Sequence, residues 1–99
     1  MYARLAQFTG DPGSIDEMLA GIREQLESGG EAPPGLEGVQ RVMVLVDRGS
    51  GKNTSLIFCE TEEELRKADA ALNQMTPEGG VSRTAVELLE VAIDKDTSG

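Results

Sequence analysis

The chain contains no histidine and no tryptophan, and aromatic residues make up only 3% of its 99 residues. The side chain that most often performs acid–base chemistry at neutral pH is therefore missing. A hydrophobic core must be built mainly from aliphatic residues and methionine. A chain of this length supports one such core, so we predict a single domain over residues 1–94 and a frayed tail over residues 95–99.

Positive charge is also scarce. Nine Lys and Arg stand against eighteen Asp and Glu, which leaves a formal charge of −9. This charge repels phosphate backbones and anionic headgroups, and the basic residues are scattered rather than clustered. We therefore predict neither nucleic acid nor membrane as a partner, and no apolar run has membrane-spanning length.

Cysteine occurs once, at Cys59, so an intrachain disulfide is impossible. The N-terminus, Met1 to Leu5, lacks the basic flank and the long apolar run of a signal peptide. Together these features predict a cytoplasmic protein. Because a reactive thiolate needs a nearby base or positive group, we interpret Cys59 as a buried core thiol.

Four segments have the apolar patterns of β-strands. Tyr2 to Thr9 alternates between two faces, whereas Val39 to Asp47 and Asn53 to Glu60 carry runs that are apolar on both faces. These two runs predict adjacent central strands that are covered on both sides. In the last segment, Ser82 to Asp94, the alternation slips at Leu88-Leu89, which predicts a bulge or a change of partner.

Two segments have the spacing of amphipathic helices, and each opens on a capping box. The boxes are Ser14 with Glu17 and Thr61 with Glu64. The second helix has an apolar seam that runs from Leu65 to Met75. Gly29-Gly30 and Thr76 to Gly80 are predicted to end the two helices.

This order of elements predicts an α+β domain of the ferredoxin-like type, βαββαβ, with an antiparallel four-stranded sheet and two helices on one face. The second face of the sheet then needs a cover. A homodimer with sheets facing each other across a two-fold axis, a dimeric α/β barrel, would provide one. The alternative is the loop from Glu31 to Gly38, folded across the same face.

Two sequence features resemble binding sites but favour simpler interpretations. Gly49 to Thr54 resembles a phosphate-binding loop, yet a strand follows it, so we predict a hairpin turn. The acidic clusters at Glu60 to Glu64 and Asp94 to Asp96 lack calcium-loop spacing and favour solvated helix-cap charge. We predict no metal.

Several segments resemble the antibiotic-biosynthesis-monooxygenase-like proteins, also called dimeric α/β-barrel proteins. The resemblance rests on Tyr2-Ala3-Arg4, the acidic first helix, Gly35 to Gly38, Phe58 to Leu65 and Val86 to Val91. It implies a ferredoxin-like protomer, a dimer with sheets face to face and a pocket between sheet and helices. Some relatives oxidise quinol-like or polyketide aromatics without a cofactor, and others degrade haem.

The haem branch uses a histidine ligand supported by asparagine and tryptophan. This chain has neither His nor Trp, so that ligand set does not carry over and we predict no cofactor. The cofactor-free branch stabilises the anion of an acidic phenol with polar side chains. The candidates for this ligand-binding role are Tyr2, Arg4, Arg41, Asn73 and Arg83.

Two interpretations of the strand arginines remain open. Arginine can hold a phenolate or carboxylate through two hydrogen bonds, but it can also form a rim ion pair with an acidic neighbour. The corresponding functions are a dimeric small-molecule-binding protein, extending to a cofactor-independent oxygenase of an aromatic or quinol-like compound, and a non-catalytic dimeric module that binds another protein.

Overall fold

The computed structural model describes residues 1–27, 34–74 and 82–97, and the statements below concern these residues. The predicted helix ends at Gly29-Gly30 and at Thr76 to Gly80, with Met75 of the seam, lie outside them. The element order is confirmed as βαββαβ. It comprises β1 (Tyr2–Thr9), α1 (Ile15–Glu27), β2 (Val39–Val46), β3 (Lys52–Cys59), α2 (Glu62–Asn73) and β4 (Ser82–Glu90).

The four strands form one antiparallel sheet in the order β2-β3-β1-β4. This is the ferredoxin-like topology, in which both crossover helices pack on one face. The prediction of two adjacent central strands is correct for β3 but wrong for β2, which lies at an edge. An apolar run carries no information about which strands pair. In β2, Val42 on one face and Leu45 on the other both remain exposed in this chain.

The two helices begin differently. Thr61 is the N-cap of α2, and its Oγ1 accepts a hydrogen bond from Glu64 N at 3.2 Å and donates to Glu64 Oε1 at 3.1 Å. Thr61 is therefore confirmed as the predicted cap, whereas Glu64 accepts from the threonine hydroxyl and not from the backbone N–H that a full capping box would use. A 3-10 turn, Pro12–Ser14, leads into α1; Asp11 caps this turn, with its carboxylate accepting from Gly13 N, and Ser14 is the last residue of the turn rather than a cap. The rigid Pro12 next to Asp11 favours this earlier cap.

The connection between β2 and β3 is a hairpin turn, as predicted. Asp47 Oδ1 accepts a hydrogen bond from Gly49 N at 3.0 Å, and this bond is the main reason that the pKa of Asp47 is lowered. Gly51 has φ of 82°, and a Cβ there would collide with the carbonyl oxygen of Gly10. The hairpin therefore closes tightly against the end of β1.

The irregularity in β4 lies elsewhere than predicted. Gln7 pairs with Ala85 but Phe8 pairs with Arg83, so the extra residue is Thr84 rather than a residue at Leu88-Leu89. The strand also ends at Glu90 instead of Asp94. Leu88 and Leu89 point to opposite faces of an edge strand, and both are partly exposed. Two neighbouring leucines therefore occur here without a change of register.

The core lies between the sheet and α2. Ile57, Cys59, Leu65 and Ala68 are buried there, and partly buried Tyr2, Leu36, Val39 and Leu72 pack around them. Because Leu36 joins this core, the described part of the loop before β2 packs against α2. A Cβ at Gly35 would lie 2.8 Å from Ala71 Cβ, which shows how closely the loop approaches the helix.

The opposite face of the sheet, called the open face here, is mainly apolar but carries four polar or charged side chains. Strand register places three rows of side chains on it: Met43, Leu56, Leu5 and Glu87; Arg41, Phe58, Ala3 and Leu89; Leu45, Thr54, Gln7 and Ala85. Both helices and the described part of the loop lie on the other side. Leu45 is 49% exposed and Leu89 44% exposed. Within the described ranges, no helix is long and apolar enough to cross a bilayer.

Candidate functional site

Four polar side chains meet where β1 and β4 approach the end of α2. Arg4 Nε donates to Asp69 Oδ1 at 2.8 Å, and Arg4 Nη2 donates to Asn73 Oδ1 at 3.2 Å. Arg83 Nη1 donates to the same Asn73 oxygen at 2.7 Å. We call these four residues the arginine cluster. It brings together three of the five residues that the sequence nominated, Arg4, Asn73 and Arg83.

The local structure explains how these side chains come to meet. Arg4 lies on the helix-facing side of β1, opposite Ile57 in the neighbouring strand. Asp69 and Asn73 are one helical turn apart, so both project from the same side of α2.

The bulge at Thr84 brings in the fourth member. Without the extra residue, Phe8 would pair with Thr84, and Arg83 would pair with Thr9 on the open face. A shift of one residue moves a side chain to the opposite face of a sheet. The bulge therefore places Arg83 on the side of α2.

The cluster has an excess positive charge. Arg4 is only 5% exposed and is paired with Asp69, whose side chain is 24% exposed. Burial of a guanidinium requires such a partner, because an unpaired buried charge is costly. Arg83 is exposed, and no carboxylate of the described residues forms an ion pair with it. Two guanidinium groups and one carboxylate leave one net positive charge in a chain whose total is −9.

The other two nominated residues lie apart from these hydrogen bonds. Tyr2 is on the same face as Arg4 but packs against the core that includes Cys59 and Leu65. Arg41 is on the open face, where its guanidinium carbon lies 6.0 Å from the centre of the Phe58 ring. The sheet therefore separates Arg41 from Arg4, and the ligand-binding role of the five candidate residues stays a prediction.

Two further polar residues, Asp69 and Asn53, were not predicted as candidates from the sequence. Asp69 sits four residues before Asn73 beside the apolar seam of α2, and this i, i+4 polar pair was a usable signal. No pattern in the sequence predicted that Asn53 is buried, because its burial depends on strand pairing. It is 6% exposed, and its Nδ2 has no hydrogen-bond partner in the described part of the chain.

Cys59 is the core thiol that the sequence predicted. It is fully buried, and burial, followed by the charge of Glu64, raises its pKa above the ordinary value. A raised pKa keeps the thiol protonated and unreactive. Among the described residues, no three His, Cys, Asp or Glu side chains form a group able to hold a metal ion.

Comparisons with known proteins support the fold. No family model matches the chain, and no curated protein matches it by sequence. Among solved structures, an arginine-to-serine mutant of MhuD with two manganese protoporphyrin IX molecules bound per active site is 14% identical, with a TM-score of 0.63, over 97% of this chain and 99% of that one. A protein from Deinococcus radiodurans, provisionally assigned as an antibiotic biosynthesis monooxygenase, is 12% identical, with a TM-score of 0.56, over the full length of both chains.

The chain thus shares the fold of these two solved proteins, and the ferredoxin-like fold class predicted from the sequence is confirmed. The residues present do not fit an iron porphyrin. The imidazole that most often ligates haem iron is absent, and the only thiol, Cys59, is fully buried in the core.

Proposed function

We propose that this chain is a dimeric protein that binds a small aromatic anion, such as the phenolate of a quinol-like compound, at the exposed side of the arginine cluster. The observation that carries the proposal is the convergence of Arg4 and Arg83 on one amide oxygen of Asn73, with Asp69 as the single carboxylate among the described residues to balance them. An oxyanion complements such a site, because it supplies the missing negative charge, and the aromatic ring follows from the quinol-like ligands that the resemblance implies.

The cluster also favours deprotonation of a bound phenol. A guanidinium close to a phenol stabilises the phenolate and lowers the pKa of the hydroxyl. Phenolates react with oxygen more readily than neutral phenols, so holding the anion is the step that these residues would contribute to a cofactor-independent oxygenation. At this exposed site the phenol proton would pass to solvent water, so the step needs no histidine, and Arg83 stabilises the resulting anion through its charge.

The dimer in this proposal would form through the open face. A largely apolar surface of this kind rarely stays in water, and the described part of the loop that could have covered it, residues 34–38, packs against α2 instead. A second copy is the partner favoured by the resemblance. Leu89→Glu would place a charge on this face, and we expect analytical ultracentrifugation to find a monomer. Leu26→Glu, at an exposed position on α1, is the matched control, and this variant should sediment as the same species as the native chain.

The ligand is tested with a panel of hydroquinones, naphthols and anthrones, with binding followed by calorimetry and turnover followed by oxygen uptake. Loss of the Arg83 charge in Arg83→Gln should weaken binding about tenfold, the usual effect of one charge-assisted hydrogen bond. Arg66→Gln is the control, because Arg66 pairs with Glu62 on the exposed side of α2. Equal binding by both variants would contradict the assignment of the site.

A non-catalytic dimeric module that binds another protein is the second candidate. Its support is the exposure of Asn73 and Arg83, which are as accessible to a carboxylate on a protein surface as to a small molecule. A dimer that binds no member of the panel and consumes no oxygen would favour this function.

A further inference from the structure

The orientation of the Asn73 amide is determined by its neighbours. Arg4 Nη2 and Arg83 Nη1 both approach Asn73 Oδ1, at 3.2 Å and 2.7 Å. A guanidinium can only donate hydrogen bonds, so the amide atom that faces both of them must be the oxygen. The amide nitrogen therefore points away from the two arginines, and Asn73 is exposed at the end of α2.

We infer that the Asn73 amide nitrogen is a hydrogen-bond donor for the ligand, and that Asp69 limits the charge of the site so that it selects a monoanion. This inference rests on the proposed function and specifies its ligand class. Arg83 and Asn73 present donors to the ligand. Arg4 is a positioning residue, because it holds the amide oxygen and is itself neutralised by Asp69.

The charge balance supports selection by charge. Asp69 lies 2.8 Å from Arg4 and cancels it, so only the charge of Arg83 remains for a ligand. A neutral ligand gains little from that charge, whereas a dianion brings one charge that no cation of the cluster balances. The surplus negative charge of the chain penalises the dianion further.

The variant Asn73→Asp tests the amide donor separately from the hydrogen bonds that Arg4 and Arg83 make to residue 73. An aspartate keeps an oxygen toward Arg4 and Arg83 and so preserves the cluster, but it removes the amide donor and cancels the net charge. Gln74→Glu is the matched control, because it adds the same charge one residue further along without replacing the amide. Thermal melts of both variants check that the fold is retained.

The probes are the monoanion 2-naphthoate, neutral 2-naphthamide and the dianion 2-naphthyl phosphate. Their binding is measured by the fluorescence of the ligand, because a chain without tryptophan adds little fluorescence of its own. We expect naphthoate to bind at least about tenfold more tightly than the other two. We expect Asn73→Asp to weaken naphthoate by about tenfold or more, and Gln74→Glu to weaken it by less than about threefold.

The outcomes distinguish this inference from the proposed function. If naphthoate binds the native chain and Asn73→Asp with equal affinity, the donor role is wrong, although the aromatic-anion site survives. If naphthamide or naphthyl phosphate binds as well as naphthoate, selection of a monoanion is wrong. If the naphthols and quinols bind but naphthoate does not, only this inference fails. If no probe and no member of the panel binds, the proposed function fails and this inference with it.

Discussion

The ion pair between Arg4 and Asp69 gives the sharpest test of the structure. Asp69→Ala would leave a guanidinium that is 5% exposed without its carboxylate. Loss of one partner from a fully buried pair costs about 3–5 kcal/mol, and one charge-assisted hydrogen bond contributes about 1.5–3 kcal/mol. Asp69 is partly exposed and Arg4 keeps its bond to Asn73, so we expect a loss of about 2 kcal/mol in the free energy of unfolding.

Urea unfolding followed by circular dichroism measures this loss, at one fixed protein concentration because the proposed dimer would be stabilised by mass action. For a domain of this size the melting temperature should fall by about 8–16 °C. Glu62→Ala, which breaks an exposed pair with Arg66, should cost less than about 0.5 kcal/mol. The double variant Arg4→Met with Asp69→Ala should recover most of the loss, because no buried charge remains. A loss below about 0.5 kcal/mol in Asp69→Ala would refute the reasoning.

Three further predictions concern the hairpin and the core. The pKa of Asp47 is lowered, chiefly by the hydrogen bond from Gly49. Its contribution to stability is therefore present above its unfolded pKa and is lost as the pH falls through the folded pKa. In acid titrations below about pH 4, Asp47→Asn should lose less stability than the native chain. Gly51→Ala should destabilise the fold by about 1–3 kcal/mol in urea, because of its positive φ and the contact with β1, whereas Gly49→Ala, where a Cβ has room, should be near neutral. Cys59 should react with a thiol reagent at mildly alkaline pH only as fast as the chain unfolds, because burial raises its pKa; rapid labelling of the folded protein would contradict this.

Local physics accounts for what could be predicted from the sequence. The alternation in β1, the threonine cap of α2 and the glycine-rich turn between β2 and β3 depend on neighbours only a few residues apart. They therefore predicted the order of the elements, and the limits of β1 agree at both ends. The Asp11 cap was also a local signal, but the Ser14 and Glu17 pattern competed with it.

The arginine cluster was only partly predictable. Arginine, asparagine and tyrosine were nominated by their chemistry, and chemistry alone could not tell which face of the sheet each occupies. Arg41 and Arg4 both lie in strands with apolar neighbours, yet strand pairing puts them on opposite faces. The position of Arg83 depends on the bulge at Thr84, and a one-residue shift in pairing leaves no trace in the local pattern.

By itself, therefore, the sequence determined the fold class and the order of strands and helices. It also determined that the chain is acidic and lacks histidine, the usual acid–base residue. Only the tertiary structure decided that β2 is an edge strand, that the described part of the loop before β2 packs on α2, and that Asp69 completes the arginine cluster. These features depend on contacts between residues far apart in the chain, such as Arg4 with Asp69 and Asn73. Such contacts form only when the sheet register and the helix packing are satisfied together.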